Sequence, residues 1–382
     1  MANEQQGKID AWWNEFGKRT SDIAALFKRK AEWDLAEWMH EHLGAIHPHL
    51  MWEYGQAVNG PGYRLVITSE SRRDLRPLVK RILETAPPID GWEFYPYRMA
   101  EEYDMAVQTV EARTGDDISK TFVTAEINEL NKINLVFRSA AYTSEDRQAF
   151  NDAFVATESL LGEETLDRWI GAIKVETLGL EADAADCHIR QLKDKVDSLM
   201  RDIHDSLPDQ PYCRLNVDED EQEWSLYELE PKALDEYPGQ TDMFVGRTVI
   251  PKMWVNAHCG DSFDSSRFSK CGETFCYAKI EGTEGVDEQK FADKSEIEDA
   301  LDAALRPDGI GCVVGGGTGL VYSYVDLALV DVRRGSEIIK RVLREGDIPK
   351  RTWIMFFDTD LQTEWTGIWE DTPPPPMWPV DE

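Results

Sequence analysis

The chain has 382 residues, 42% of them hydrophobic and 10% aromatic, which excludes an intrinsically disordered protein and allows two or three domains with cores that need no disulfide staples. Its 73 acidic and 41 basic residues leave a formal charge of −32, which repels phosphate backbones and anionic bilayers. That balance argues against a nucleic-acid partner and a membrane partner, and favours a basic protein as the partner to expect.

The N-terminal residues are polar, with no basic n-region followed by an apolar h-region, and no apolar run reaches the roughly 18–20 residues that span a bilayer. Six Cys in a chain of this length, without an export signal, read as reduced thiols, so a cytoplasmic location is expected.

In chain order the pattern opens with a helical segment over 8–43. Ile9, Trp12, Trp13 and Phe16 and then Ile23, Leu26 and Phe27 recur at helical spacing, and a second helix is predicted over 31–43. A strand at 50–54, a Gly/Pro turn at 59–62 and a strand at 63–68 come next. Leu75, Leu78, Val79, Ile82 and Leu83 mark a helix that Pro87 and Pro88 end, because proline has no N–H for the next turn. A strand at 92–98 then returns beside the first. A hairpin at 122–127 and 133–138, a helix carrying Phe150 to Leu161 and a strand at 168–176 complete the first half.

A composition shift near residue 180 divides the chain into an α+β domain over 1–180 and another over 181–382. The second begins with a helix holding Ile189, Leu192, Val196 and Ile203, followed by predicted strands at 213–217, 224–229 and 253–257. Its core, about 274–358, reads strand, helix, strand, strand, helix, strand. The strands are 275–280, 310–314, 321–330 and 353–357, and the glycines of 315–319 are expected to form the turn of a hairpin. This is the order of the ferredoxin-like split βαβ, and the first half repeats it more loosely. The fold class expected is therefore α+β: two ferredoxin-like α/β sandwich halves in tandem after an N-terminal helical segment. The acidic run at 218–223 reads as a solvated loop, and the proline-rich tail at 373–379 as an extended ending to the last strand.

Two clusters are candidates for metal chemistry. His40, His42, His47 and His49 lie within ten residues, with Glu53 nearby. His40 and His42 stand about 200° apart on a helix and do not easily share an ion, whereas His47, His49 and Glu53 lie on extended chain. His258, Cys259, Cys271 and Cys276 form a second set of zinc-type ligands, although Cys276 also fits an alternating buried strand.

The glycines of 309–319 are followed by a strand and by no lysine, so they do not make a phosphate loop. Asp358 and Asp360 end an apolar strand and are read first as turn residues. No nucleophile elbow is present, and no catalytic residue or cofactor is assigned.

The segments Trp52-Glu53-Tyr54-Gly55, Ala86-Pro87 leading to Gly91-Trp92, and Glu364-Trp365-Thr366-Gly367-Ile368-Trp369-Glu370-Asp371-Thr372-Pro373-Pro374 resemble a family of bacterial proteins of unassigned activity. The resemblance implies a bacterial cytoplasmic protein and carries over no site residue. The function expected is a non-enzymatic, acidic binding or regulatory protein whose partner is basic. The alternative is a metal-dependent enzyme using the histidines of 40–49.

Overall fold

The computed structural model describes residues 2–143, 147–179, 186–215, 223–284 and 286–378. The fold is mixed α+β. The chain forms two compact units, one of residues 1–124 and 136–193, the other of residues 125–135 and 194–382.

The first unit opens with α1 (Ala2–Phe27) and α2 (Leu35–His42), whose N-cap Asp34 accepts a bond from the Glu37 amide. The 3.6-residue period puts Ile9, Trp12, Trp13 and Phe16 on one buried stripe. That stripe packs with Trp38, Leu65, Ile67, Val79 and Ile82 into an aromatic-rich core. Strands β1 (Met51–Gln56) and β2 (Tyr63–Thr68) run antiparallel, and after α3 (Arg76–Glu84) the chain returns as β3 (Trp92–Tyr95), parallel to β2.

The sequence pattern missed the next helix, α4 (Tyr103–Thr114), because only Ala106 and Val110 of its stripe are buried. Gly115, at φ 88°, closes it in the left-handed conformation that glycine allows. Strands β4 (Phe122–Ile127) and β5 (Ile133–Ser139), helices α5 (Arg147–Leu161) and α6 (Glu163–Trp169), β6 (Ile170–Thr177) and β7 (Cys187–His188) follow. These strands form a separate sheet in the order β6-β5-β4-β7. The first half is thus two sheets, with β3 directly beside β2, and not the single split sheet expected from its element order.

After α7 (Leu192–Ser206) come β8 (Ser225–Glu228), β9 (Met243–Thr248), α8 (Pro251–His258), β10 (Thr274–Glu281), α9 (Lys294–Leu305), β11 (Gly311–Gly319), β12 (Tyr322–Leu329), α10 (Val332–Glu345), β13 (Thr352–Phe356) and β14 (Trp365–Gly367). The strands lie in one sheet, β14-β13-β10-β12-β11-β9-β8, with antiparallel neighbours throughout.

Two expectations change here. The predicted strand at 253–257 is helix α8, begun by Pro251 in the first turn, where its missing N–H costs nothing. Of the predicted strand at 213–217, Cys213 lies in a short 3₁₀ turn, and residues 216 and 217 fall outside the described residues, as do 218–222 of the acidic run.

The glycine run is also placed differently. Gly315 to Gly319 belong to β11, and Leu320 and Val321 make the turn into β12. Glycine is required there by close approach, not by turn geometry. A Cβ at Gly315 would stand 2.6 Å from the Arg247 carbonyl, and one at Gly319 would stand 2.4 Å from the Asp242 carboxylate.

The two faces of this sheet differ. Helices α9 and α10, capped at their N-termini by Asp293 and Asp331, cover one face. There Cys276, Ala278 and Ile280 of β10 pack with Val325, Leu327 and Leu329 of β12 and with Leu301, Ile339 and Leu343 of the helices. The alternate residues, Tyr277, Tyr324, Trp353 and Met355, point the other way and pack with Trp254 of α8. Among the described residues, no helix is long and apolar enough to cross a membrane.

Candidate functional site

The second face holds a cavity of about 730 Å³. Tyr277 of β10 and Met355 of β13 stand in its wall, with Phe357 just beyond β13 and Phe263 from the loop after α8. The segment 229–243 and the tail residues Met377 and Trp378 complete it. The tail is anchored where Trp353 Nε1 donates to the Pro373 carbonyl at 2.6 Å. A proline run has few N–H groups to pair, and residues 372–378 join no strand or helix.

The loop after α8 is held from within the same unit. Buried Arg267 donates to the carbonyls of Leu130 (3.0 Å) and Ser262 (2.6 Å) and to Asn256 Oδ1 (2.9 Å). Lys132, also buried, donates to Asp261 at 2.5 Å and to Ser262 Oγ at 2.7 Å. Charge-assisted bonds of this kind hold a loop more firmly than neutral ones.

His258 ends α8 and faces the cavity. Its Nδ1 lies 2.8 Å from the Trp254 carbonyl. A carbonyl only accepts, so Nδ1 carries the proton and Nε2 presents a lone pair. That Nε2 is buried and has no partner among the described residues. Burial lowers the pKa of the imidazole, with the Trp254 carbonyl pulling weakly the other way. The ring stacks on Trp254 at 3.9 Å, and Trp254 stacks on Tyr227 at 4.0 Å. The result is a rigid, neutral imidazole in the cavity wall whose acceptor nitrogen is held out of contact with water.

Below this wall lies a polar layer. Gln240, itself in the wall, donates through Nε2 to Asp326 Oδ1 at 3.0 Å. Asp326 is fully buried in the middle of β12, its Oδ2 has no partner among the described residues, and burial pushes its pKa up to about 7. Lys279 of β10 is equally buried, and desolvation brings its pKa down to about 8. Its Nζ donates to the carbonyls of Tyr237 and Gly239 and sits 4.1 Å over the Tyr322 ring, so it straps the 237–240 segment onto the sheet. Asp242 accepts from the amides of Val321 (2.8 Å) and Tyr322 (2.9 Å) and from the Tyr324 hydroxyl.

At the end of β13, Asp358 accepts from the Ser265 amide (2.7 Å) and hydroxyl (2.5 Å). Burial, with the Asp264 charge beside it, pushes Asp358 up to about 7. Its neighbour Thr359 is in the cavity wall.

The residues singled out in the sequence are placed as follows. The rings of His47 and His49 are 5.5 Å apart, and the His49 amide donates to His47 Nδ1 at 3.3 Å. Glu53 turns instead to Arg64 (3.3 Å) and Arg98 (3.8 Å). His42 bonds the Trp38 carbonyl through Nδ1 at 2.9 Å and stacks on that ring.

Of the second set, only His258 reaches the cavity. Cys276 lies on the helix-covered face, Cys259 is exposed, and Cys271 Sγ stands 3.9 Å from the Pro208 carbonyl. Among the described residues, no three His, Cys, Asp or Glu side chains come together as a metal site would need.

Sequence reading did not single out Gln240, Lys279 or Asp326. The last two carried a usable signal, since each is a charged residue flanked by apolar neighbours within a strand. Gln240 carried none, because its role depends on a strap that Lys279 makes through space. In comparisons with family models, curated proteins and solved structures, nothing matches this chain.

Proposed function

We propose that the second unit is a small-molecule binding module whose site is the cavity on the open face of its sheet. The observation that carries this reading is the buried, unpaired Nε2 of His258 in a wall made largely of Tyr277, Phe263, Phe357 and Met355. A mostly apolar cavity with few fixed polar groups is the usual form of a ligand site, and an unpaired buried acceptor is costly unless something donates to it. The sheet order β13-β10-β12-β11, with α9 and α10 on one face, supports reading the core of this unit as a split βαβ sheet extended at both edges. On that reading the helices serve the core and leave the opposite face for binding. Titration calorimetry with small aromatic alcohols tests it. Binding that His258→Phe weakens is the expected result, and equal binding by that variant would refute it.

A second reading is favoured by the −32 charge: a non-enzymatic acidic protein that captures a basic protein partner. It predicts association with oligolysine at defined stoichiometry that weakens steeply with salt. Absence of binding at low salt removes it. The alternative of a metal-dependent enzyme at His47 and His49 is not proposed, because Glu53, the oxygen ligand it would need, is engaged by two arginines.

A further inference from the structure

We infer that the ligand of this cavity is an organic cation, a protonated amine on an apolar body. The inference rests on the cavity reading above and adds the ligand's charge to it. Three independent features of the wall agree.

The formally charged side chains in the wall are Glu230 and Asp261, both carboxylates, and no Lys or Arg joins them among the described residues. Asp261 is neutralised by Lys132 at 2.5 Å. Glu230 is exposed and has no ion-pair partner among the described residues, which leaves one uncompensated negative charge at the mouth. The buried cations nearby are engaged within the protein: Lys279 donates to the carbonyls of Tyr237 and Gly239, Lys132 to Asp261 and Ser262, and Arg267 to the carbonyls of Leu130 and Ser262.

Aromatic rings supply the second feature. Tyr277 and Phe357 are 5.0 Å apart at 44°, and Phe263 lies 5.6 Å from Phe357, so three rings packed at tilted angles line the space. Trp378, 58% exposed, adds its ring at the rim. The negative faces of such rings attract ammonium groups, more strongly as water is displaced.

The third is the hydrogen-bonding character of His258 in the wall. Nε2 of His258 can only accept, so a ligand group that reaches it brings an N–H or O–H. An ammonium meets all three demands at once, whereas a carboxylate or phosphate would meet the lone pair, the carboxylates and the ring faces with the same sign of charge. The size suits one drug-sized molecule.

The test uses a matched pair, 2-naphthylmethylamine and 2-naphthylmethanol, titrated calorimetrically into the protein near neutral pH. Ionic strength is kept near physiological, so that diffuse attraction to the acidic surface is screened. The amine is expected to bind about five- to tenfold more tightly than the alcohol. Glu230→Gln should lower amine affinity about threefold and leave the alcohol unchanged, and His258→Phe should weaken both. Equal affinity for amine and alcohol, both still weakened by His258→Phe, overturns the cationic ligand and leaves the cavity reading standing. Failure of either probe to bind at millimolar concentration, or binding that neither His258→Phe nor Trp378→Ala affects, removes both. The wall variants are checked by circular dichroism and urea midpoint, so that loss of fold is not mistaken for loss of site.

Discussion

Strands β10 and β12 carry two unlike surfaces on alternate residues. On the side of α9 and α10 the residues are Cys276, Ala278, Ile280, Val325, Leu327 and Leu329, all buried against apolar helix stripes. On the other side the same strands bring Tyr277, Lys279, Tyr324 and Asp326, also buried, into a hydrogen-bonded layer under a cavity. The first face gains stability from every residue it hides, because apolar area leaves water at no electrostatic cost. The second holds two ionisable groups whose charged forms are penalised by burial, and such groups persist mainly where they serve placement or chemistry. One sheet therefore divides its labour by the two-residue period of a strand: one face holds the fold, the other lines the cavity proposed as the site.

That contrast can be broken most severely from the helix side. Leu327→Ala removes a fully buried side chain from the middle of the apolar face and is expected to cost about 2–5 kcal/mol, read as a lower urea midpoint. A cost below about 1 kcal/mol would mean that this face does not carry the unit's stability.

Gly315→Ala comes next. Its methyl group would meet the Arg247 carbonyl at 2.6 Å and Asp326 Oδ2 at 3.1 Å, with an expected cost of about 1–3 kcal/mol. A neutral result would show that β9 and β11 move apart freely.

The polar face should show itself through pH. Lys279 binds its proton less tightly in the folded protein (about 8) than in the unfolded chain (10.5), so between those values the unfolded state holds more protons. The penalty is present in full below about pH 8, and stability rises as pH climbs from there toward 10.5. Asp326 acts at the other end. Its folded value near 7 lies above the ordinary 3.8, so stability falls as pH rises from about 4 to 7. Asp326→Asn should flatten that limb by on the order of 1–3 kcal/mol, and Lys279→Met should flatten the alkaline one. Urea midpoints measured across pH 4–10 decide both. Unchanged limbs in the variants would show that these groups do not titrate as buried residues.

The smallest effect on folding is expected at the cavity rim. Trp378→Ala should change stability by no more than about 0.5 kcal/mol, since that ring is more than half exposed, while weakening the binding of an aromatic amine. A large loss of stability would make the tail part of the core instead of a wall of the site.

Much of the fold was legible wherever one period dominated. Ile9, Trp12, Trp13 and Phe16 marked α1, the β10–α9–β11–β12–α10–β13 order was readable from alternation and stripes, and Pro87 with Pro88 marked the end of α3. Where a helix buries little, as α4 does with Ala106 and Val110, periodicity had too few apolar residues to register. The short apolar run in α8 was ambiguous between strand and helix, and the packing of Met253 and Trp254 resolved it. Of the candidate site, His258 was visible only as part of a zinc-like cluster, and tertiary structure separated it from its cysteines by sending Cys276 to the opposite face.

By itself the amino-acid order determined the charge, the elements with strong periodicity, and the division of residues in each strand between two faces. Those are local properties, dictated by backbone repeat and by the free energy of moving single side chains out of water. Only the tertiary structure decided which face would remain open, that glycines on β11 would admit the Arg247 carbonyl and Asp242, and that Lys279 would strap Gln240 over Asp326 beside His258. Each of these joins residues about 40 to 90 positions apart, and no local pattern encodes a contact whose energy exists only once the sheet has formed.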